Sequence, residues 1–316
     1  MSRIIVTGGS GRLGRSVADV LVSAGHDVVS LDRAPIGTDR FREVTVDLTD
    51  HAATIEAFEA IRPESVVHLA AIAVPFSAPE DVIFRTNTAI AYNVVEAAGV
   101  VGATRLLAAS SPTVVGYGAP HGWRPEYLPL DEDHPLAPWN AYSLSKRVIE
   151  EIIAMAVVRD GDAVRYGVFR PCFVISPEEW EGAPTQQGHT VRERLDHPEH
   201  AAVSLFNYVD ARDAGDFVVA WLRGADRIPN GSTFFVGAAD ALARESLDTL
   251  VPRYLPGTES QAASLASFAP AFSSKRAADL LGWRPVRSWR TELSAGAPSA
   301  PSVSAAPPAP AESSHA

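Results

Sequence analysis

The 316-residue chain carries a single cysteine, Cys172, which rules out an intrachain disulfide and a metal cage built on cysteine. That cysteine follows a strand-like run and Arg170-Pro171, a setting in which a small buried side chain outweighs a reactive nucleophile. Long apolar runs are absent as well. No segment approaches the roughly 20 apolar residues that span a bilayer, and the N-terminus opens directly on a strand, so no membrane partner and a cytoplasmic location are expected. Basic runs are missing, and a net charge of −11 with a pI of about 5.3 makes nucleic acid a poor partner. His189, His197 and His200 lack carboxylate or cysteine companions at ligand spacing, so no metal site is expected. Repeats of solenoid length do not occur. What is left is a globular chain long enough for a large core.

The densest signal is at the N-terminus. Arg3 to Thr7 is a short β-branched run that reads as a buried strand, and Leu13 to Ala24 is patterned as a helix. Between them Gly9, Gly11 and Gly14 fit G-x-G-x-x-G, while Gly8, Gly11 and Gly14 fit T-G-x-x-G-x-x-G. A side chain at the tight turn would keep the backbone from a pyrophosphate, and one at the third glycine would hold the helix off the sheet. The helix N-terminus then offers N–H groups and a positive dipole to phosphates. An ordinary strand-to-helix turn would explain the glycines alone, but the next strand, Asp27 to Leu31, is closed by Asp32, 18 residues past Gly14. A carboxylate there is placed to accept hydrogen bonds from an adenosine ribose.

Further along, strands and helices alternate: strand Glu43 to Val46, helix His51 to Ile61, strand Ser65 to Leu69, helix Glu80 to Val101, strand Thr104 to Ala109. Such alternation predicts crossover units and a doubly wound parallel sheet of the α/β class. Ala70 and Ala71 leave room for something flat at a strand end, and Asn87, near the start of its helix, can point back at the sheet edge. Pro112 to Trp139 is a long loop rich in Pro and Gly, read as part of a substrate wall. After it, Tyr142 and Lys146 open a helix running to about Val158 and share one face of it. Strand Val164 to Phe169, an irregular stretch from Phe173 to Phe206, and short strands and helices to Leu281 follow. The Ala/Pro/Ser-rich stretch Ser294 to Ala316 cannot bury enough apolar surface to fold.

Taken together these residues resemble the extended short-chain dehydrogenase/reductases, the family of nucleotide-sugar epimerases and dehydratases. The likeness runs over residues 3–293 and rests on T-G-G-S-G-R-L-G, Asp32, Val-Asp47-Leu48, His68-Leu-Ala-Ala71, Asn87, Ser110-Ser-x-x-x-x-Gly116, Tyr142-x-x-x-Lys146, Arg170-Pro171, Tyr208-Val-Asp-x-x-Asp213 and Leu281-Gly-Trp-x-Pro285. The resemblance implies a Rossmann-type NAD-binding domain over 1–171, a small substrate-binding region with returning Rossmann elements over 172–293, and a disordered tail from 294. It implies a cofactor site at Gly8, Gly11, Arg12, Leu13, Gly14, Asp32, Arg33, Asp47, Leu48, Leu69, Ala70, Ala71, Asn87, Tyr142, Lys146 and Pro171. It also implies Ser111 as the catalytic hydroxyl, Tyr142 as general acid and base, and Lys146 as the cation that lowers the tyrosine's pKa. Asp32 favours NAD over NADP, since it would repel a 2′-phosphate.

This sequence departs from the family pattern in informative places. Dehydrating relatives carry Asp-Glu after the catalytic hydroxyl, whereas Pro112-Thr113 stands here, so dehydration is disfavoured. The usual V-Y-G reads Val114-Val115-Gly116, and the segment before Tyr208 is short for a platform that grips a nucleotide diphosphate. The expected activity is NAD-dependent epimerisation of a sugar or nucleotide sugar. A net dehydrogenase or reductase acting on a sugar, sugar acid or similar alcohol is the alternative, and a non-catalytic NAD sensor is a distant third. The helices Glu80 to Val101 and Asn140 to Val158 carry more apolar surface than one sheet covers, and in relatives this pair forms a dimer interface, so a two-fold homodimer is expected.

Overall fold

The computed structural model describes residues 1–265 and 268–295. Nine strands are present among them: β1 (Arg3–Thr7), β2 (Asp27–Asp32), β3 (Arg42–Thr45), β4 (Ser65–His68), β5 (Arg105–Ala109), β6 (Arg165–Pro171), β7 (Val174–Ile175), β8 (Val209–Asp210) and β9 (Ser232–Val236). Seven of them form one parallel sheet in the order β3-β2-β1-β4-β5-β6-β9, and β7 pairs with β8 apart from it. The order reverses between β1 and β4. There the first crossover turns one way and the later ones the other, opening a crevice at the carboxyl ends of the strands.

Helices cover both faces, as strands buried on two sides require. On one face lie α1 (Arg12–Ser23) and, much later in the chain, α8 (Ala211–Gly224), which pack on each other. The opposite face carries α2 (His51–Ile61), α3 (Glu80–Val100) and α4 (Ala141–Asp160). Each face has its own apolar core, one around Ile4, Val6, Val17, Phe217 and Trp221, the other around Ile5, Val66, Val94, Ile149 and Tyr166. The central strands therefore read as unbroken apolar runs rather than alternating ones.

A third, small core of Ile175, Trp180, Val191, Leu195, Tyr208 and Leu242 lies beyond β6. The stretch from Phe173 to Phe206, expected to be irregular, contains β7, α5 (Pro177–Trp180), α6 (Val191–Asp196) and α7 (Glu199–Ala202). These helices are only a turn or two long, and the first two are set by capping boxes: Ser176 with Glu179, and Thr190 with Glu193. Such short elements leave no periodicity to read. The remaining helices are α9 (Leu247–Tyr254), α10 (Glu259–Ala262), α11 (Lys275–Leu281) and α12 (Trp289–Ala295). Helix α12 takes in Ser294 and Ala295, the first two residues of the stretch expected to be a disordered tail; 296–316 lie outside the described residues.

Two of the sequence motifs turn out to hold each other. Asp210 caps α8 by accepting from Arg212 N at 2.7 Å. Asp213 accepts from the backbone N–H groups of Val286 at 3.0 Å and Arg287 at 2.9 Å, and the indole of Trp283 donates to Asp213 O at 3.2 Å. The motif around Tyr208 and the one around Trp283 are thus a single structural joint that returns the chain to the sheet.

Candidate active site

A cleft of about 910 Å³ opens at the carboxyl edge of the sheet, over the switch between β1 and β4. Its floor is the glycine loop. Gly8 has φ of +73°, which few side chains tolerate, and a Cβ there would lie 2.7 Å from Ala70 N. The loops after β1 and β4 therefore touch backbone to backbone, which is why small residues follow His68. Gly11 caps α1 with extended backbone and no side-chain hydrogen bond, so the first-turn N–H groups face the cleft without an internal acceptor.

Arg12, Leu13 and Gly14 line the same end. Asp32 and Arg33 close β2 beside it, with the Asp32 carboxylate accepting from Ser10 N at 3.2 Å and Arg33 N at 2.7 Å. Asp47 and Leu48 form the next wall. Hydrogen bonds from the Thr49 backbone and hydroxyl hold the Asp47 carboxyl below its ordinary range. Leu69, Ala70, Ala71 and Pro171 complete the lining expected from the sequence. Asn87 is the exception. Its amide is fully buried and bound to the backbone of Ile72 on both sides, at 2.7 and 3.2 Å, and to Ser145 Oγ at 3.0 Å. It shapes the loop after β4 from behind: both N–H donors are taken, and its oxygen accepts from Ile72 N.

Ser111, Tyr142 and Lys146 meet at the centre of the cleft, each less than a tenth exposed. A capping box starts α4: Ser143 N donates to Asn140 Oδ1 at 2.9 Å and Asn140 N to Ser143 Oγ at 3.3 Å, which fixes Tyr142 in the first turn. Ser111 Oγ accepts from Thr113 Oγ1 at 3.0 Å and Thr113 N at 3.3 Å. Both acceptor positions are then used, which leaves its own proton for the Tyr142 oxygen or a ligand in the cleft. Thr113 was legible only as the absence of an acidic pair; in the fold it aims the serine.

Lys146 Nζ donates to Ala109 O at 3.0 Å and lies 5.8 Å from the Tyr142 ring centroid. Burial pulls its ammonium down to about 8. The Tyr142 phenol is pushed up to about 12 by burial, with Ser111 pulling the other way. The expected lowering of the tyrosine by Lys146 does not show in this fold, where desolvation of the buried phenol is the largest effect and Ser111 alone opposes it. Beneath them Thr7 Oγ1 accepts from Leu69 N and Ala70 N and bonds His68 Nδ1 at 2.8 Å, so the hydroxyl donates to an unprotonated Nδ1. Burial first, and Lys146 second, pull His68 down to about 3, and it stays neutral.

Sequence reasoning missed the support behind Ser110. Its hydroxyl donates to Glu150 Oε1 at 2.7 Å, and Glu150 is paired with Arg170 through both oxygens at 2.8 and 2.9 Å, all buried. An Arg at the end of β6 was visible; its partner on α4 was not. The long loop expected as a substrate wall contributes only its ends, Pro112, Thr113, Tyr117, Gly118 and Trp139. Its middle docks away from the cleft, with Leu130 N bonded to Ala271 O at 2.7 Å and Arg124 Nε to Pro256 O at 3.1 Å. Cys172 lines the cleft but is buried, and burial pushes its thiol up, out of the reactive thiolate form.

The sequence profile of the NAD dependent epimerase/dehydratase family matches residues 4–237. The chain belongs to that family. A UDP-glucose 4-epimerase of Lacticaseibacillus casei is 26% identical to it, over 89% of this chain and 91% of that protein. An L-arabinose 1-dehydrogenase (NAD(P)(+)) of Haloferax volcanii is 37% identical over 46% of this chain and 58% of its own length. Among solved structures, a short-chain dehydrogenase/reductase superfamily protein of Agrobacterium tumefaciens with bound NAD superimposes with a TM-score of 0.70 at 23% identity, over 93% of this chain and 95% of the other, which establishes the shared fold. The chain is accordingly an enzyme of the extended short-chain dehydrogenase/reductase type.

Proposed function

We propose that the protein is an NAD-dependent epimerase of a sugar, working through transient oxidation of one carbinol. The observation that carries this is the meeting of Ser111, Tyr142 and Lys146 beside an uncapped helix N-terminus. The glycine loop fits a dinucleotide: the N–H groups after Gly11 suit a pyrophosphate, Asp32 suits a ribose with free hydroxyls, and Ala70 and Ala71 leave a flat wall. NAD, when bound there, supplies reversible oxidation of the carbinol to a carbonyl.

The residues of this chain do the rest. Ser111 donates its proton to the reacting oxygen and fixes it. Tyr142 takes the hydroxyl proton as the carbonyl forms and gives it back on reduction. Lys146, held by Ala109 O, keeps a positive charge beside the phenol. In the epimerase the carbonyl compound turns over inside the cleft and is reduced on its other face. No acid and base pair stands after Ser111, so loss of water is not part of this chemistry.

A second reading, net oxidation of a free sugar with release of NADH, is favoured by the likeness to the L-arabinose dehydrogenase. The test is incubation of the purified chain with NAD and candidate sugars. An inverted product without accumulating NADH supports the epimerase, stoichiometric NADH supports the dehydrogenase, and neither in a chain that binds NAD refutes both. We also take the protein to be a cytoplasmic two-fold homodimer through α3 and α4.

A further inference from the structure

We infer that Phe76 and Trp139 form an aromatic platform at the mouth of the cleft that binds the apolar face of an uncharged sugar carrying no nucleotide. This rests on the reading of the cleft as a sugar-oxidising site and narrows it. Phe76 sits in the turn Val74 to Ser77, which Ser77 N closes on Val74 O at 3.4 Å. Pro75 occupies the second position and Phe76 the third, with φ of +61°. That third position with positive φ is where a turn takes Gly or Asn, because a Cβ is crowded there.

The chain thus accepts backbone strain at Phe76 and gains little from burial, since the side chain is 60% exposed. Strain combined with an exposed aromatic at a cleft is spent on something outside the fold. The ring lies against Trp139, centroids 5.7 Å apart at 42°. Trp139 is 37% exposed, and its indole N–H donates to Tyr117 O at 3.1 Å, which fixes its orientation. It immediately precedes Asn140, the cap of α4, so the platform is tied to the helix that carries Tyr142. Negative ring faces attract the C–H face of a sugar ring.

Charge decides against a nucleotide diphosphate. The charged residues lining the cleft are Arg12, Asp32, Arg33, Asp47 and Lys146. Three stand at or just past the ends of β2 and β3, Arg12 opens α1 and pairs with Glu179, and Lys146 lies beside Tyr142. Arg12 reaches the segment before Gln186, but its charge is taken by Glu179, and Phe76, Trp139, Phe173, Gln186, Gln187 and Val203 themselves bring no charged side chain to the lining. A diphosphate entering there would lose water without a cation to replace it. Another cation against that wall, Arg194, is fully buried over the Phe173 ring at 4.2 Å, and its Nη1 donates to Gln187 Oε1 at 2.5 Å. Its Nε and Nη2 have no partner, but it stands behind the wall rather than in it.

The experiment compares L-arabinose, D-glucose, D-galactose and D-galacturonate with UDP-glucose on the full chain with NAD, in the wild type, Phe76→Asn and Arg194→Gln. We expect kcat/KM for at least one free sugar to exceed that for UDP-glucose by a hundredfold or more. Phe76→Asn should raise KM for that sugar about tenfold with kcat within twofold, and leave Tm unchanged or higher because the strain is relieved. Equal or better turnover of UDP-glucose overturns the inference while leaving the functional reading intact. So does an unchanged KM in Phe76→Asn, or a Tm lowered by several degrees, which would make Phe76 a packing residue. A selective loss of D-galacturonate turnover in Arg194→Gln would show that the cation reaches the substrate and overturn the uncharged assignment. Absence of turnover of every sugar by a chain that binds NAD removes the functional reading, and this inference with it.

Discussion

Gly14 and Gly11 belong to one motif, yet the fold asks different things of them, and replacing each by alanine separates packing from binding. A methyl on Gly14 would lie 2.0 Å from Gly8 O, 2.7 Å from Gly9 Cα and 2.8 Å from Gly8 C. All three are backbone atoms, so no side chain can swing away and α1 must retreat by about 1 Å. Alanine gains about 1 kcal/mol of helix propensity over glycine. Overpacking costs about 1–3 kcal/mol, and a rigid three-atom clash belongs at the top of that range. The net loss is about 2 kcal/mol, which lowers Tm by about 3 °C in a chain this size. Gly11 differs: its φ of −72° and ψ of 167° suit any residue, and a Cβ meets only Gly8 O, at 3.2 Å. Gly11→Ala should stay within about 1 kcal/mol of the wild type, the scale of an N-cap change. It places a methyl on the open helix end, so NAD affinity should fall at least tenfold in both variants. Thermal melts without cofactor and calorimetric titration with NAD read the two effects separately. A wild-type Tm for Gly14→Ala, or wild-type NAD affinity for Gly11→Ala, would refute the reasoning.

Tyr142→Phe should reduce turnover by about 10³-fold with NAD affinity within a few-fold, since only the hydroxyl is lost; near-normal kcat would remove Tyr142 from the mechanism. Asp32→Ser should shift preference toward NADP by freeing Arg33 from a neighbouring carboxylate, and an unchanged ratio of the two dissociation constants would show that Asp32 does not read the ribose. His68 is held at about 3 when folded against an ordinary value of 6.5, so between those values the unfolded chain binds a proton that the folded one does not. Its contribution is therefore intact above about pH 6.5 and lost as pH falls, amounting to about 2 kcal/mol at pH 5. Melts from pH 7 to pH 5 should flatten in His68→Asn relative to the wild type, and parallel curves would contradict the assignment. On α3 and α4, Tyr92 and Met155 are 46% and 39% exposed. Tyr92→Lys combined with Met155→Lys should halve the mass seen in light scattering, whereas a wild-type monomer would exclude the interface.

The parts legible in the sequence are those whose cause is local. The glycine loop declares itself because a Cβ cannot fit between Gly8 and Ala70, and Tyr142 and Lys146 because one helical turn brings them to one face. The strands of the sheet were readable because strands buried on both faces are continuous apolar runs, which composition alone marks. What escaped depends on partners far apart in the chain. Glu150 and Arg170 were two charges in different elements until the fold paired them behind Ser110. Asn87 was placed near the sheet edge, but nothing local tells that Ile72 claims its amide. The short helices between β7 and β8 have too few turns for periodicity, and the capping boxes of the first two are the only trace they leave. Phe76 was invisible for another reason: a strained φ is a property of the folded turn, and Pro-Phe in a loop carries no warning of it.

The proton states of the site constrain how it can work. Burial pushes Tyr142 up to about 12 and pulls Lys146 down to about 8, so desolvation drives each toward its neutral form. At neutral pH Lys146 still carries its charge in about nine molecules of ten, while the phenolate is a rare species. A mechanism that waits for Tyr142 to ionise first would wait on that rare species. Because a neutral phenol cannot take a second proton, oxidation of the carbinol must draw on that phenolate, with Ser111 already donating to the substrate oxygen as its C–H bond breaks. In the reverse direction no such cost arises, because a protonated phenol is the resting form and can donate to a carbonyl at once. The apoprotein as folded is therefore a better proton donor than acceptor.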